Sequence, residues 1–218
     1  NLEQTFNTCV IESYGMTEAT HQMTSNPLPP SIRKSGSVGL AAGPEVALLC
    51  KGKIINNDQN NRNIPGQIII KGENVTKGYI NNPKANTESF LDGWFLTGDE
   101  GTFDKDGYLK ITGRLKEIIN RGGEKISPQE IDEILMDHES IQQAVAFSVP
   151  HEKLGEDLYA AVVLIDNAMI KEDDLKTYCK NRLTKFKIPR KILIINSIPK
   201  GATGKLQRIG LYKKLGIK

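Results

Sequence analysis

The chain has 218 residues, of which 38% are hydrophobic and 25% are charged. This composition is typical of a globular protein with one large or two modest domains, and no apolar run approaches the roughly 20 residues that a membrane-spanning helix needs. The three cysteines, at positions 9, 50 and 179, are odd in number and far apart, which excludes a paired zinc motif or a disulfide framework. We therefore expect a reduced, intracellular setting.

Charge is distributed unevenly along the chain. Residues 1–170 hold 15 Lys and Arg against 23 Asp and Glu, a net of −8, whereas residues 171–218 hold 14 against 3, a net of +11. Such a basic end is typical either of a solvated basic face or of a site for a polyanionic partner: nucleic acid, a membrane surface or a polyphosphate cofactor. Neither a signal peptide nor a peroxisomal tripeptide of the SKL kind is seen, so the cytoplasm is the expected compartment.

The first predicted element is a buried strand over the apolar run 8–13, followed by a loop. In open α/β sheets, loops at the carboxyl ends of strands are where ligands bind. Tyr14 offers a ring face for stacking, and Gly15 permits a close backbone approach. Thr17 offers a hydroxyl and Glu18 a hard oxygen for Mg²⁺. By itself, this stretch is more typical of a strand-to-helix turn that Thr17 caps than of a binding site.

The middle of the chain predicts short strands and one helix. Residues 45–49 and 67–71 are strand-like, with a polar loop over 56–61 between them, and 82–90 is a short helix. Residues 93–99 form a strand that ends in the Asp99 carboxylate. In isolation, a Gly-Asp pair of this kind most often caps a turn.

A compact run of turns follows. Residues 104–107 predict a tight hairpin turn, 108–112 a strand, 113–117 a charged joint and 121–124 a glycine turn. Ser127 reads as a helix N-cap, with Pro128 at the first helical position and Glu130 placed to close a capping box.

The last hundred residues predict a compact α+β domain. Helices are expected over 128–137 and 170–183, and strands over 143–149, 158–165 and 192–195. Cys179 lies on the apolar stripe of the second helix and is assigned to the core. A small-residue loop over 201–205 presents Lys205 and leads into a helix-like segment over 206–215. His138 and His151 receive no role.

Four stretches resemble, in the same order, the motifs of the adenylate-forming acyl-CoA synthetases. They are Ser13-Tyr14-Gly15-Met16-Thr17-Glu18, Trp94-Phe95-Leu96-Thr97-Gly98-Asp99, the run TGRLKEIINRGGEKISPQEID at 112–132, and Pro199-Lys200-Gly201-Ala202-Thr203-Gly204-Lys205. The wording RGGEKISP fits the CoA ligases better than peptide-synthetase adenylation domains. The run 19–27 is similar to that of oxalate–CoA ligases.

The resemblance implies an α/β plus α+β fold in two parts. Residues 1–113 would be the carboxyl-terminal part of a large AMP-binding domain, comprising the end of a parallel sheet and a small β-barrel. Residues 114–118 would be a hinge and 119–218 a mobile α+β lid domain. No phosphate loop of the family is present, so we expect the carboxyl-terminal part of a longer enzyme, without turnover by itself.

The resemblance also assigns ligands to particular residues. The residues assigned to ATP and AMP are Tyr14, Gly15, Thr17, Asp99 and Arg114; Glu18 is assigned to Mg²⁺ and His21 to the acid substrate. Lys205 is the implied catalytic lysine, which bridges the acyl carboxylate and the α-phosphate. Lys116 is the implied hinge pivot. The residues assigned to CoA are Gly122, Gly123, Glu124 and Lys187.

The expected reaction joins a small carboxylic acid to CoA with ATP, through an acyl-adenylate, and oxalate is the expected acid. One alternative is another short-chain, fatty or coumarate-like acid. A second, from another class, is a basic nucleic-acid or membrane-binding module; the basic end lacks the interleaved aromatic residues of a stacking platform, and no nucleic-acid partner is expected. The sequence gives no oligomeric state.

Overall fold

The computed structural model describes residues 2–58, 62–201, 204 and 206–217. The chain divides into two compact units, Asn1–Leu115 and Lys116–Lys218. The division falls inside the range 114–118, where the sequence predicts a hinge, and hinge motion stays a prediction. Among the described residues, no helix is both long enough and apolar enough to cross a membrane.

The first unit begins with helix α1 (Leu2–Phe6) and a three-stranded antiparallel sheet. Its strands are β1 (Ser13–Met16), β2 (His21–Ser25) and β3 (Leu40–Ala41), in that order. A register shift follows Tyr14, where Gly15 approaches the facing strand closely. A Cβ at Gly15 would lie 1.8 Å from the carbonyl oxygen of His21, so only glycine fits there.

The buried strand predicted over 8–13 is wrong. The strand begins at Ser13, and the residues before it are exposed or half-buried. Their backbone makes scattered hydrogen bonds instead of a strand ladder, for example from the Asn26 amide to the Glu12 carbonyl (2.9 Å) and from the Arg33 guanidinium to the Val10 carbonyl. A short apolar run alone does not distinguish a strand from an extended segment of this kind.

A six-stranded antiparallel sheet forms the rest of the first unit. Its order is β5-β4-β6-β8-β7, with β9 paired to β8. The bounds are β4 (Glu45–Cys50), β5 (Lys53–Ile55), β6 (Gly66–Lys71), β7 (Phe90–Leu91), β8 (Trp94–Phe103) and β9 (Leu109–Arg114). Leu48, Ile68, Phe103 and Leu109 build one buried cluster on it.

The parallel sheet predicted for the first unit is wrong for its described residues, because every strand pair there is antiparallel. Parallel strands need crossover connections of a dozen or more residues. Here β8 and β9 are joined by the five residues 104–108, and β4 and β5 by two. The closed β-barrel stays a prediction.

Two local predictions in the first unit are confirmed. The turn after β8 is closed by the Asp104 carboxylate, which accepts hydrogen bonds from the amides of Asp106 (2.8 Å) and Tyr108 (2.9 Å). Gly107 adopts φ +85°, as the tight turn requires. Helix α2 (Pro83–Ser89) is capped by the Asn82 side chain, which accepts the Ala85 amide at 3.1 Å.

The second unit is a five-stranded sheet between two layers. Its order is β11-β10-β13-β12, and β14 adds to β13 in parallel. The bounds are β10 (Ile119–Arg121), β11 (Glu124–Ile126), β12 (Ile141–His151), β13 (Gly155–Leu164) and β14 (Lys191–Ile194). Side chains on one face of β12, such as Ala146, pack with helices α3 (Pro128–Met136) and α4 (Glu172–Lys180). On the other face, Phe147 packs with α5 (Leu211–Lys214).

Two helix predictions in the second unit need correction. The helix predicted over 206–215 is reduced to α5, because Leu206 bridges to Lys200 and Gly210 takes φ +74° just before the helix. The capping box at Ser127 does not form, and the Ser127 hydroxyl is buried without a hydrogen-bond partner among the residues that the structure describes. Lys187 instead donates to both carboxylate oxygens of Glu130, at 2.7 and 2.8 Å.

The core assignment of Cys179 is confirmed. Its side chain is fully buried between α4 and the sheet, next to Leu175. Burial raises the pKa of this thiol to about 11, so the sulfur is a protonated core group at neutral pH.

Candidate active site

Three of the predicted nucleotide-binding residues are joined directly in the first unit. The Tyr14 hydroxyl donates to one carboxylate oxygen of Asp99 at 2.5 Å, and the Arg114 Nε donates to the other at 2.8 Å. Asp99 and Arg114 face each other across β8 and β9. Only 6% of Asp99 is exposed, whereas the Arg114 side chain is 58% exposed. The carboxylate is therefore fixed between a phenol and a guanidinium at the border of the sheet.

Local sequence explains why Asp99 is held this way. The Thr97 hydroxyl donates to the Ile68 carbonyl at 2.7 Å and accepts the Asp99 amide at 3.1 Å. Gly98 takes φ +77° between them, a conformation that a β-branched residue does not tolerate. The Thr-Gly-Asp sequence thus bends β8 so that the carboxylate is aimed at Tyr14.

The charge distribution keeps this arrangement intact at neutral pH. Burial, and next the hydrogen bond to the Asp99 carboxylate, raise the pKa of the Tyr14 phenol well above its usual value. Tyr14 therefore remains a proton donor. An ionised Asp99 accepts only, and this suits a ligand that presents two hydroxyl groups.

Glu18 lies in a second, adjoining group built on a short 3₁₀ turn, Thr17–Ala19. The Tyr79 hydroxyl donates to the Glu18 carboxylate at 2.8 Å, and the Thr76 amide donates to its backbone carbonyl at 2.7 Å. Burial, followed by this contact with Glu18, raises the pKa of Tyr79. Thr17 itself is exposed.

The loop that follows β6 fixes this turn, and sequence reasoning missed it. Asn74 donates from its side chain to the Ala19 carbonyl (2.9 Å), and its own carbonyl accepts the Thr20 hydroxyl (2.9 Å). Tyr79 lies in the same loop. The available signal was a polar segment directly after the buried strand β6, because such loops carry functional groups more often than their share of the chain.

Glu18 fits a magnesium ion only as one ligand among several. No group of three His, Cys, Asp or Glu side chains that could hold a metal lies within the described ranges. Mg²⁺ usually takes one or two protein carboxylates together with phosphates and water. A single carboxylate oriented by Tyr79 is therefore suited to a metal that arrives with a phosphate ligand.

His21 lies on the same hairpin as Tyr14 and Glu18. Its side chain is exposed, and its backbone takes φ +83° after Thr20 at +51°. Such conformations are uncommon for residues other than glycine and indicate a tightly constrained turn. The turn presents the imidazole to solvent beside the Glu18 segment.

In the second unit, the predicted CoA residues lie on one hairpin turn and one short helix. Gly122 and Gly123 connect β10 to β11 with φ of +62° and +94°, and both glycines and Glu124 are exposed. Lys187 lies in the 3₁₀ helix Lys185–Lys187 and is ion-paired to Glu130 at 2.7 Å. Lys116 is exposed within the 3₁₀ turn Leu115–Glu117.

Lys205, the predicted catalytic residue, lies outside the described residues. Its flanks are described: Lys200 pairs with Leu206 in an isolated bridge, and the Gly204 amide donates to the Gly201 carbonyl at 2.9 Å.

Sequence reasoning also missed two buried ion-pair groups in the second unit. Asp157 is 1% exposed and lies between Arg121 (2.8 Å) and Arg190 (3.1 Å). Arg208 pairs with Asp132 at 2.6 Å and with Glu117 at 2.8 Å. The only sequence signal was a charged residue in or beside a strongly apolar stretch, which does not identify the partner.

Comparisons with known proteins agree with the motif resemblance. A family model described as AMP-binding enzyme matches residues 1–80, and one described as AMP-binding enzyme C-terminal domain matches residues 130–205. An oxalate–CoA ligase from Arabidopsis thaliana is 51% identical over 209 residues, which is 95% of this chain and 40% of that enzyme. An oxalate–CoA ligase from Saccharomyces cerevisiae is 49% identical over 213 residues, 95% of this chain and 38% of that enzyme.

Solved structures give the same result. The o-succinylbenzoate CoA synthetase from Bacillus subtilis, in complex with the acyl-adenylate intermediate OSB-AMP, has a TM-score of 0.85 and 33% identity, covering 96% of this chain and 42% of that chain. The same enzyme in complex with ATP and magnesium ion has a TM-score of 0.84. This chain spans about 40% of the length of the relatives it matches. The comparisons confirm the predicted resemblance and do not favour the nucleic-acid or membrane-binding alternative.

Proposed function

The chain belongs to the family of AMP-binding enzymes, and we propose that it is the carboxyl-terminal part of an ATP-dependent acid–CoA ligase. In the first step, a carboxylate oxygen attacks the α-phosphorus of ATP and pyrophosphate leaves, giving an acyl-adenylate. In the second, the CoA thiol attacks the acyl carbon, and AMP leaves as the thiol proton is lost. The observation that carries the proposal is the Asp99 carboxylate, fixed by Tyr14 and Arg114 where the nucleotide motifs meet.

The first unit would bind the nucleotide. Asp99 would accept both ribose hydroxyls, and its two oxygens are already oriented by donors on either side. The Tyr14 ring would lie against adenine while its hydroxyl keeps the carboxylate in place. Arg114 would reach the ribose and phosphate from the exposed side of Asp99, and Thr17 and the Gly15 backbone would lie along the α-phosphate.

Glu18 would hold magnesium together with the ATP phosphates. Tyr79 would keep the carboxylate oriented through its 2.8 Å hydrogen bond, and the Thr76 and Asn74 contacts would fix the backbone beneath it. Magnesium, when bound, would neutralise phosphate charge in the first step. The chain's own contribution is orientation, which is the main requirement of phosphoryl chemistry.

The second unit would supply the remaining groups in turn. Lys205 would bridge the acyl carboxylate and the α-phosphate as negative charge builds between them during adenylation. Rotation about Lys116 would then withdraw Lys205 and bring the Gly122-Gly123 turn to the pantetheine arm. An exposed glycine turn allows an extended chain to pass close to the backbone. Glu124 and Lys187 would border the same path.

Oxalate is the proposed acid, and His21 its proposed contact. The relatives named oxalate–CoA ligase support this choice, since each is about half identical to this chain. A histidine can present either a donor or a positive charge to a small dianion. A different short-chain, fatty or coumarate-like acid is the alternative substrate within the same reaction.

The proposal is tested by measuring pyrophosphate release in the full-length enzyme across a panel of acids. We expect oxalate to give the highest kcat/KM, and His21→Ala to raise the KM for oxalate far more than the KM for ATP. Gln22→Ala, which changes the exposed neighbouring side chain, is the matched control. Equal changes in both KM values would remove His21 from the acid pocket, and no acid-dependent pyrophosphate release with any acid would overturn the ligase.

A further inference from the structure

Arg208 joins three separate segments of the second unit. Its Nε donates to the Glu117 carboxylate at 2.8 Å, its Nη2 pairs with Asp132 at 2.6 Å, and its Nη1 donates to the Ala146 carbonyl at 3.1 Å. Only 15% of the side chain is exposed. A planar guanidinium has donors in a fixed fork, so its contacts define the position of the backbone that carries it.

Asp132 and Arg208 together form hydrogen bonds with the backbone of Ala146 at the outer edge of the sheet. Strand β12 lies at the end of the strand order, so the outward backbone groups of Ala146 have no neighbouring strand within the described part of the chain. The Asp132 carboxylate accepts the Ala146 amide at 2.6 Å, and Arg208 donates to the Ala146 carbonyl. Buried backbone groups need such partners. These two side chains therefore supply the hydrogen bonds that a neighbouring strand would otherwise make with Ala146.

The third contact of Arg208 reaches the segment where the hinge is predicted. Glu117 directly follows Lys116, and its carboxylate is 25% exposed. Arg208 is only three residues after Lys205 in the sequence, so fixing the backbone at position 208 fixes one end of the segment that carries Lys205.

We propose that Arg208 is a positioning residue that fastens the loop carrying Lys205 to the segment that follows the hinge pivot. This rests on the proposed function, in which Lys205 acts in adenylation. Through Glu117, a movement of the hinge segment is passed to the loop without passing through the whole sheet. Through its contacts with Asp132 and Ala146, Arg208 also fixes the position of its own segment relative to the edge of β12.

The test uses Arg208→Ala and Arg208→Lys in the full-length enzyme, assayed well below the thermal midpoint. Because a misplacement of about 1 Å costs as much as 100-fold, we expect pyrophosphate release to fall roughly 10- to 100-fold in Arg208→Ala, with partial recovery in Arg208→Lys. Thioester formation from supplied acyl-adenylate should stay within about threefold of the unaltered enzyme, since Lys205 serves only the first step. A merely structural arginine would lower both half-reactions together, and that result overturns the proposal.

Two further variants make the test decisive. Arg182→Ala removes an exposed arginine that lies over the Tyr178 ring, and it should leave both half-reactions unchanged. Glu117→Gln weakens only the contact with the hinge segment, so it remains informative if Arg208→Ala does not fold. We expect it to slow pyrophosphate release by roughly 3- to 10-fold, less than Arg208→Ala does, because the amide oxygen can still accept from the guanidinium and only the negative charge is lost. No change in that rate would contradict the coupling.

Lys205→Ala, measured in the same assays, separates the inference from the function it rests on. If Lys205→Ala abolishes pyrophosphate release and Arg208→Ala leaves it unchanged, only the positioning role of Arg208 is wrong. If Lys205→Ala itself leaves pyrophosphate release unchanged, the proposed function of the second unit is wrong and the inference falls with it.

Discussion

Asp99 in the first unit and Asp132 in the second each pair with an arginine, yet the two pairs are built differently. Arg114 is 58% exposed beside Asp99, whereas Arg208 is 15% exposed beside Asp132. Both Asp99 oxygens accept from side chains, while one Asp132 oxygen accepts a backbone amide. A pair with an exposed arginine can admit a ligand, and we call the Asp99 pair the open pair. A pair whose carboxylate also accepts a backbone amide holds segments together, and we call the Asp132 pair the closed pair. Under the proposals above, the same two residue types would serve binding in one unit and positioning in the other.

Of the two pairs, the open pair should have the larger effect on activity. Asp99→Ala in the full-length enzyme removes the proposed ribose acceptor and leaves the Arg114 guanidinium without its carboxylate. Truncating one partner of such a pair typically costs about 2–5 kcal/mol, roughly 30-fold or more in the kcat/KM for ATP. Initial rates of pyrophosphate release at varied ATP measure it. A change confined to kcat would show that Asp99 does not bind the nucleotide.

The largest effect on stability should come from the closed pair. Arg208→Ala leaves the Asp132 carboxylate buried without its counter-ion, which typically costs about 3–5 kcal/mol. Arg114→Ala also removes the counter-ion of a buried carboxylate, but the Tyr14 hydroxyl still donates to Asp99 and the 58% exposed site of the guanidinium is open to water, so we expect a smaller loss. Thermal or urea unfolding of the full-length variants compares the two. Equal losses would contradict the distinction between an open and a closed pair.

The closed pair should also make stability depend on pH. Burial raises the pKa of Asp132 from 3.8 to about 6, against the opposing effect of Arg208. Because the folded state then holds a proton that the unfolded state has released, this group's contribution to stability falls as pH rises from about 4 to about 6 and is constant above that.

The size of that loss is at most about 3 kcal/mol for a shift of this size. We expect the free energy of unfolding of Asp132→Asn, minus that of the unaltered enzyme, to increase by this amount between pH 4 and pH 6. Only the unaltered enzyme loses stability as Asp132 releases its proton. Urea titrations at several pH values measure the difference. A difference that is the same at pH 4 and pH 7 would show that the Asp132 pKa is not raised.

A smaller effect should follow from altering the donor to the open pair. Tyr14→Phe keeps the ring that would lie on adenine and removes the 2.5 Å hydrogen bond to Asp99. Losing one hydrogen bond to a charged group costs about 1.5–3 kcal/mol when it is fully buried, and less at this partly exposed border. We expect the KM for ATP to rise by roughly 3- to 10-fold with kcat retained. Tyr108→Phe, which loses a hydroxyl contact to the Ile32 carbonyl in the same unit, is the control.

The parts of the molecule that sequence predicted well depend on neighbouring residues. The turn at 104–107, the Gly122-Gly123 turn and the Asn82 cap of α2 each follow from side chains within a few positions. Local chemistry also fails where a distant group competes. Glu130 would have closed the capping box at Ser127, and Lys187, 57 residues away, holds its carboxylate instead.

The contacts that assemble the candidate site could not be predicted because they join distant parts of the chain. Tyr14 and Asp99 are 85 residues apart, Glu18 and Tyr79 are 61 apart, and Glu117 and Arg208 are 91 apart. The motifs identified Asp99 and Glu18 but not the tyrosines that orient them. A single sequence carries no signal for such pairing, since a tyrosine or arginine suits many positions equally well.

The most direct test of the account is Lys205→Ala in the full-length enzyme, with the two half-reactions measured separately. Lys205 would stabilise charge only during adenylation. Its loss should raise the activation free energy of that step by several kcal/mol, so the rate of pyrophosphate release should fall roughly 1000-fold or more. Formation of the thioester from supplied acyl-adenylate and CoA should continue at a similar rate. Equal loss of both half-reactions would contradict the proposed division of labour between the two steps.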